Sequence, residues 1–352
     1  MTAFLLDCWY MAAWSRDLAV GAVIPVRIAG HALALYRGEG GMAHALADRC
    51  PHRLAPLSRG EVEGDDLRCL YHGLRFSGGG RCTEIPGLDR IPAGLAVPSY
   101  RVEERHSALW VWPGDPDGAD PGLIPAFVGL DDPAWSLRAS QIEVEASHVL
   151  INDNLLDLSH LAYVHRNSFG GGERVEPGKG FTEQTHAIER IERGLRITHW
   201  MPEAVTPPYT RYATGPLADI WIRYDFVAPG VFMLVAAMYP PGSTADGNGL
   251  PPGEPLHMRF TCQAVTPMSE RRARYFFATG PWARDAANSD LFLEVATRAF
   301  AEDKAMIEAQ QLVIDANPDI GMKPMHVDKA PLLFAGLMKR LIEEQDMRRA
   351  GP

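Results

Sequence analysis

The chain has 352 residues, 46% of them hydrophobic and 22% charged, enough for a full apolar core and for more than one folding unit. With 34 basic against 44 acidic residues the formal net charge is −10, which argues against nucleic acid or an anionic membrane surface as the main partner. No apolar run reaches about 18 residues, so no transmembrane helix is expected. Five cysteines without framework-like spacing (Cys8, Cys50, Cys69, Cys82, Cys262) suit a reducing, cytoplasmic compartment. The opening MTAFLLDCWYMAAWSRD lacks a basic n-region and carries Asp7 inside its apolar stretch, so it does not read as a leader.

In chain order, Val26–Arg37 reads as two strands about a Gly30-His31 turn, and MAHALADRC continues the pattern. Ser107–Trp112 is apolar and aromatic, then breaks at Pro113-Gly114-Asp115. Short strands with frequent turns predict an antiparallel β domain over residues 1–120, ending in the linker-like Pro113–Gly122. Residues 121–352 mix strands and helices. DIWIRYDF, GVFMLVAAMY, LHMRFTCQAVT and ARYFFATG are expected to share one sheet, with an exposed loop at Pro240–Pro255. Helices are expected over Glu145–His165, Asp290–Asp315 and, amphipathic, about residues 330–348. The fold class is therefore α+β. FGGGERVEPGKG (Phe169–Gly180) is no dinucleotide fingerprint, because its glycines do not lie between a strand and a helix start. Reducing equivalents are thus expected from another protein.

Two constellations carry chemistry. Cys50-x-His52 is followed after sixteen residues by Cys69-x-x-His72. Thiolates and imidazoles so spaced can close around a metal from two facing loops. Zinc accepts such a set, although its pairs are usually spaced by two residues or more. A [2Fe–2S] cluster with two cysteines on one iron and two histidines on the other suits the tight first pair, and neutral imidazoles raise its potential. Cys82, Cys8 and Cys262 have no partner motif and read as structural.

The second constellation is NDNLLDLSHLAYVH, with Asn154, Asp157 and His160 at spacings of three and His165 five further on. On a helix Asp157 lies about 60° from His160, within the apolar stripe of Leu150, Leu161 and Val164. Burying these polar groups costs several kcal/mol unless each is paired or metal-bound. His160 and His165 would stand about 140° apart, so both reach one metal only if the helix loosens or ends there. A two-histidine, one-carboxylate iron site needs a third ligand. Asp303 sits at the centre of a stripe made by Phe292, Ala296, Ala299, Ile307 and Ile314, with Glu302 about 100° away and Gln310 on the same stripe. Trp221, Tyr224, Phe232, Met238 and Trp282 read as pocket or core, core being favoured for each, and His148 and Arg166 flank the candidate helix without an assigned role.

CPHR…CLYHGLRF resembles the Rieske motif of aromatic-ring oxygenases, with Leu74 where that family usually has Trp. N-x-x-D-x-x-H-x-x-x-x-H resembles the same family's catalytic helix, and EDKAMIEAQQ its third-ligand segment. Length and the WYMAAW start are similar to the vanillate O-demethylase and dicamba monooxygenase group. The resemblance implies an N-terminal Rieske domain and a catalytic domain of helix over antiparallel sheet, START-like. It implies cluster ligands Cys50, His52, Cys69 and His72, a ferrous iron held by His160, His165 and Asp303, and an electron bridge at Asp157 between subunits of a homotrimer. Asn154 is expected in the same pocket. The partners implied are O2, a reductase with or without a ferredoxin, and a small aromatic substrate to be hydroxylated or O-demethylated, a vanillate-like methoxyarene acid being favoured. Ring cis-dihydroxylation, oxidation of a non-aromatic substrate, a pure electron carrier and, least favoured, a lipid- or ligand-binding protein with a structural zinc are the other readings.

Overall fold

In the computed structural model, residues 4–165, 168–169, 185–243 and 250–350 are described. Arg166 and, beyond Phe169, the glycine-rich stretch to Gly180 lie outside them, as does part of the Pro240–Pro255 loop. The chain forms two compact units. One comprises Met1–Ile124, Thr266–Glu270 and Gln345–Pro352, the other Pro125–Val265 and Arg271–Glu344. A contiguous division at residues 120/121 is thus incomplete. Thr266 Oγ1 donates to the Met11 carbonyl, Ala29 N to that of Pro267, and Gln345 Oε1 accepts from Leu6 N and Asp7 N, so two late pieces of chain join the first unit. No described helix is long and apolar enough to cross a membrane.

The first unit is built on β1 (Tyr10–Trp14), β2 (Val23–Ile28), β3 (His31–Arg37), β4 (Ala43–Ala47), β5 (Glu61–Glu63), β6 (Asp66–Arg68), β7 (Arg75–Phe76), β8 (Cys82–Glu84), β9 (Ser99–Arg105) and β10 (Ala108–Trp112). Six of these form a sheet in the order β1-β10-β9-β4-β3-β2, and the short β5-β6-β7-β8 form a second. The strand pair around Gly30 forms as expected: Gly30 has φ +84°, where glycine meets no side-chain penalty. The apolar cluster under the small sheet includes Leu57, Leu67, Leu74, Phe76, Cys50, Cys69 and Cys82. Leu74, only 6% exposed, fills its place beside the two cysteines.

The second unit holds β11 (Arg138–Val144), β12 (Thr185–Ile191), β13 (Gly194–Val205), β14 (Leu217–Val227), β15 (Val231–Tyr239), β16 (His257–Ser269) and β17 (Arg272–Pro281). They make one sheet in the order β11-β17-β16-β15-β14-β13-β12. The helices are α1 (His148–Leu156), the single turn α2 (Arg211–Thr214), α3 (Ser289–Ala316) and α4 (Lys329–Ala350). Strand alternation sorts the sheet's two faces. Ile220, Ile222, Tyr224 and Phe226 of β14 point toward Leu150 and Leu155 of α1 and Ala296, Phe300 and Ile307 of α3, while Trp221 packs on the other face with Ala237 and Tyr239. α3 and α4 form where the periodicity predicts them.

The helix expected over Glu145–His165 does not run through. α1 is capped by Ser147, whose Oγ accepts from Val149 N, and stops at Leu156. Asp157 is extended (φ −110°, ψ 100°), and a 3-10 turn takes over at Leu158–Ala162. The Asp157 carboxylate accepts from Ser159 N at 2.8 Å, the local bond by which Asp competes with helix continuation.

Candidate metal centres and their cavity

The two cysteine loops share one backbone design. Cys50 N donates to Ala55 O and Leu54 N to Cys50 O, and in the second loop Cys69 N donates to Leu74 O and Gly73 N to Cys69 O. The residue closing each turn has positive φ, Leu54 at +56° and Gly73 at +78°. Each cysteine is 2% exposed at its loop base, and the histidines reach the exposed tips. The one-residue difference between Cys-x-His and Cys-x-x-His lets the His52 and His72 rings meet edge to face, centroids 4.4 Å apart. Burial pushes the Cys50 thiol up to about 11, against the pull of the His52 and Arg53 backbone N–H groups, and the Cys69 thiol faces it within hydrogen-bond reach. Such thiols ionise when a metal takes the proton's place.

Among the described residues, one group of three or more His, Cys or acidic side chains brings its donor atoms within 4.8 Å of one another, and it is His160, His165 and Asp303.

At that second centre, His160 Nε2 lies 3.5 Å and His165 Nε2 3.2 Å from Asp303 Oδ1. Asn154 Nδ2 donates to the same oxygen at 3.1 Å. The break at Asp157 solves the angular problem of the two histidines: His160 rides on the 3-10 turn, and the chain turns again so that His165 faces the same point from its end. His160 Nδ1 bonds to the Asp157 backbone carbonyl, which fixes the ring and leaves Nε2 for a metal. His165 Nδ1 is held by Glu302 Oε2 at 3.0 Å, and Ser168 Oγ donates to that oxygen at 2.6 Å. Burial lowers His160 from its ordinary value despite the pull of Asp303. Burial works against the charged form of His165 too, but there Asp303 and Glu302 together outweigh it and raise its pKa. Two outward-tied imidazoles and a buried carboxylate are the donors a ferrous ion takes, so the residues fit mononuclear iron.

The structure thus brings His160, His165 and Asp303 together, and sets His52 against His72 and Cys50 against Cys69. Asp157 differs in detail: its contact with His160 runs through the backbone carbonyl, and one of its carboxylate oxygens, Oδ1, accepts from Ser159 N. Gln310 is exposed, because the stripe of α3 turns past it, and Gln311 is the buried neighbour, accepting from Ser147 N. Glu302 is the residue that sequence reasoning missed; the signal was an acid adjoining a buried acid.

The iron centre opens into a cavity of about 130 Å³, closed by the inner face of the sheet. Phe232 and Met238, expected in the core, are buried and also line it, whereas Trp221, Tyr224 and Trp282 do not. Phe169 stands edge-on to His165 at 5.2 Å.

These features have counterparts in known proteins. Residues 8–101 match the Rieske [2Fe-2S] domain family and residues 144–344 the vanillate O-demethylase oxygenase C-terminal domain. The chain is 34% identical to the toluene-4-sulfonate monooxygenase system iron-sulfur subunit of Comamonas testosteroni, over 97% of this chain and 98% of that one. It is 38% identical to the 4β-methylsterol monooxygenase of Methylococcus capsulatus, over 98% and 90% of the two chains. The crystal structure of dicamba monooxygenase bound to 3,6-dichlorosalicylic acid superposes with a TM-score of 0.85 at 28% identity, covering 99% of both chains. The chain belongs to the Rieske oxygenases of the vanillate O-demethylase and dicamba monooxygenase group, as an oxygenase component that carries a [2Fe–2S] cluster and a mononuclear non-haem iron.

Proposed function

We propose that this oxygenase hydroxylates or O-demethylates a small aromatic compound, a methoxyarene acid of the vanillate type being favoured. What carries the reading is the convergence of His160, His165 and Asp303 at one end of a compact, mostly apolar cavity. A cavity on the order of 150 Å³ admits a single benzene ring, and this one is of that order. The similarity to a sterol oxygenase favours a non-aromatic substrate as the second reading.

In this reading Cys50, His52, Cys69 and His72 hold the cluster, and His160, His165 and Asp303 the iron. When bound, the iron activates O2 with electrons that the cluster delivers from a separate reductase, alone or through a ferredoxin. The chain's own residues do the rest. Asn154 and Glu302 hold Asp303 and His165 in ligand geometry. Leu155, Ile222, Leu234 and Phe300 keep the cavity apolar and exclude water from the reacting carbon. Asp157 is the bridge by which an electron enters from the cluster of a neighbouring chain, in a homotrimer. Hydroxylating a methoxy carbon yields a hemiacetal, which loses formaldehyde and leaves the phenol. Five buried cysteines that form no disulfide are in keeping with a cytoplasmic setting.

The test is O2 consumption by the iron-loaded protein with NADH, a generic reductase and a panel of methoxybenzoates. Formaldehyde should form in step with O2 taken up. Uptake without product across the panel, together with product from a sterol or another non-aromatic compound, would sink the aromatic reading.

A further inference from the structure

The cavity's polar groups are unevenly settled. On β16 the pleat turns Arg259, Thr261 and Gln263 inward, opposite Ala236, Leu234 and Phe232 of β15. Thr261 Oγ1 donates to the Ala278 carbonyl at 3.0 Å. Gln263 is held by the Tyr275 hydroxyl and by Thr261. Arg259 differs: its Nε is buried without a hydrogen-bond partner, and no described acid pairs with its guanidinium. Several other arginines that are at least half-buried have carboxylate partners, Arg37 with Glu104, Arg68 with Glu63 and Glu84, and Arg274 with Glu143. The one carboxylate lining the cavity, among the described residues, is Asp303, already engaged at the iron centre.

A second group points the same way. The Tyr209 hydroxyl is buried, on a residue 6% exposed, and has no partner. It lines the same cavity and feels the charge of Arg259. Phe169 ties the two to the iron centre. Its ring lies 6.2 Å from that of Tyr209 and 6.0 Å from the Arg259 guanidinium on one side, and 5.2 Å from His165 on the other. A cation and a hydroxyl donor left unmatched within an apolar wall cost free energy until a ligand completes them.

We propose that Arg259 and Tyr209 form the anion-binding end of the cavity, taking the carboxylate or sulfonate of an aromatic acid and so holding its opposite substituent toward His160, His165 and Asp303. This rests on the aromatic oxygenase reading and narrows its substrates to anions. Arg259 is the residue that sets the specificity, and Tyr209 adds one neutral hydrogen bond.

The experiment is equilibrium binding by calorimetry without O2, using the cofactor-loaded protein and three probes of one size: 4-methoxybenzoate, 4-methoxybenzenesulfonate and neutral 4-methoxybenzamide. The wild type should bind at least one anion more tightly than the amide, and the preferred anion separates the carboxylate from the sulfonate case. Arg259→Met should weaken that anion about 10- to 100-fold, the range for a hydrogen bond to a charged group, and leave the amide unchanged. Arg259→Lys should recover part of the loss, and Tyr209→Phe should cost a few-fold. An unchanged visible spectrum shows that each variant has folded with its cluster. Equal binding of amide and acid by the wild type, absence of anion binding, or equal weakening of all probes by Arg259→Met overturns the proposal. Coupled turnover of a neutral methoxyarene alongside any of these leaves the oxygenase reading standing, so the two failures are distinguishable.

Discussion

At the scale of single residues, one carboxylate oxygen organises the iron centre. Asp303 Oδ1 faces His160, His165 and Asn154, and His165 is in turn held by Glu302. In the metal-free protein His165 titrates above its ordinary value. Its charged form therefore stabilises the fold at lower pH, and that contribution is lost as pH rises through the raised value. Iron needs the neutral ring, so its affinity should rise with pH across the same window. Glu302→Gln should lower iron affinity about 10- to 100-fold, as loss of a ligand's supporting partner typically does. Iron content after dialysis against a graded chelator measures this, and unchanged retention would reduce Glu302 to a surface acid. The convergence of His160, His165 and Asp303 was legible in the sequence, because titratable groups in an apolar stripe demand an explanation. Arg259 was overlooked for the opposite reason: in LHMRFTCQAVT a single arginine looks like an edge residue unless the strand's alternation is followed to the cavity face.

Among the elements, the long strands and α3 follow their periodicity, whereas the segment from His148 to His165 does not. Its apolar spacing is helical throughout, but Asp157 prefers the bond to Ser159 N and ends the helix. The competing signal was present as Asp and Ser two residues apart, and it is weak beside the period of the leucines. The cysteine loops depend on turns whose closing residues have positive φ. Gly73→Ala should cost about 1–2 kcal/mol from the backbone alone, and the added Cβ would sit 2.6 Å from Pro86 Cγ. The expected result is loss of cluster absorbance with iron retained at the other centre. A variant with full absorbance and an unchanged unfolding temperature would show that the loop adapts.

For the whole molecule, the late pieces of chain that join the first unit were invisible in the sequence, since nothing local marks Thr266–Glu270 or Gln345 as distant partners of Met11 and Leu6. The proposed transfer between subunits has a direct test in coexpression. Cys50→Ala should lack the cluster but keep the iron centre, and Asp157→Asn should keep both cofactors but lose the bridge, so each alone should be inactive. If the chains assemble as proposed, mixed assemblies should regain turnover, because the cluster of an Asp157→Asn chain can feed the intact centre of a Cys50→Ala chain. Silent mixtures would place the transfer within one chain. The pleat of the second sheet has its own consequence at this scale. It puts Ile220 and Ile222 on the cavity and Trp221 on the far side of one strand, so a lining residue can be exchanged without disturbing the packing behind it. Such a molecule can change its diet by single substitutions while its redox apparatus is inherited intact.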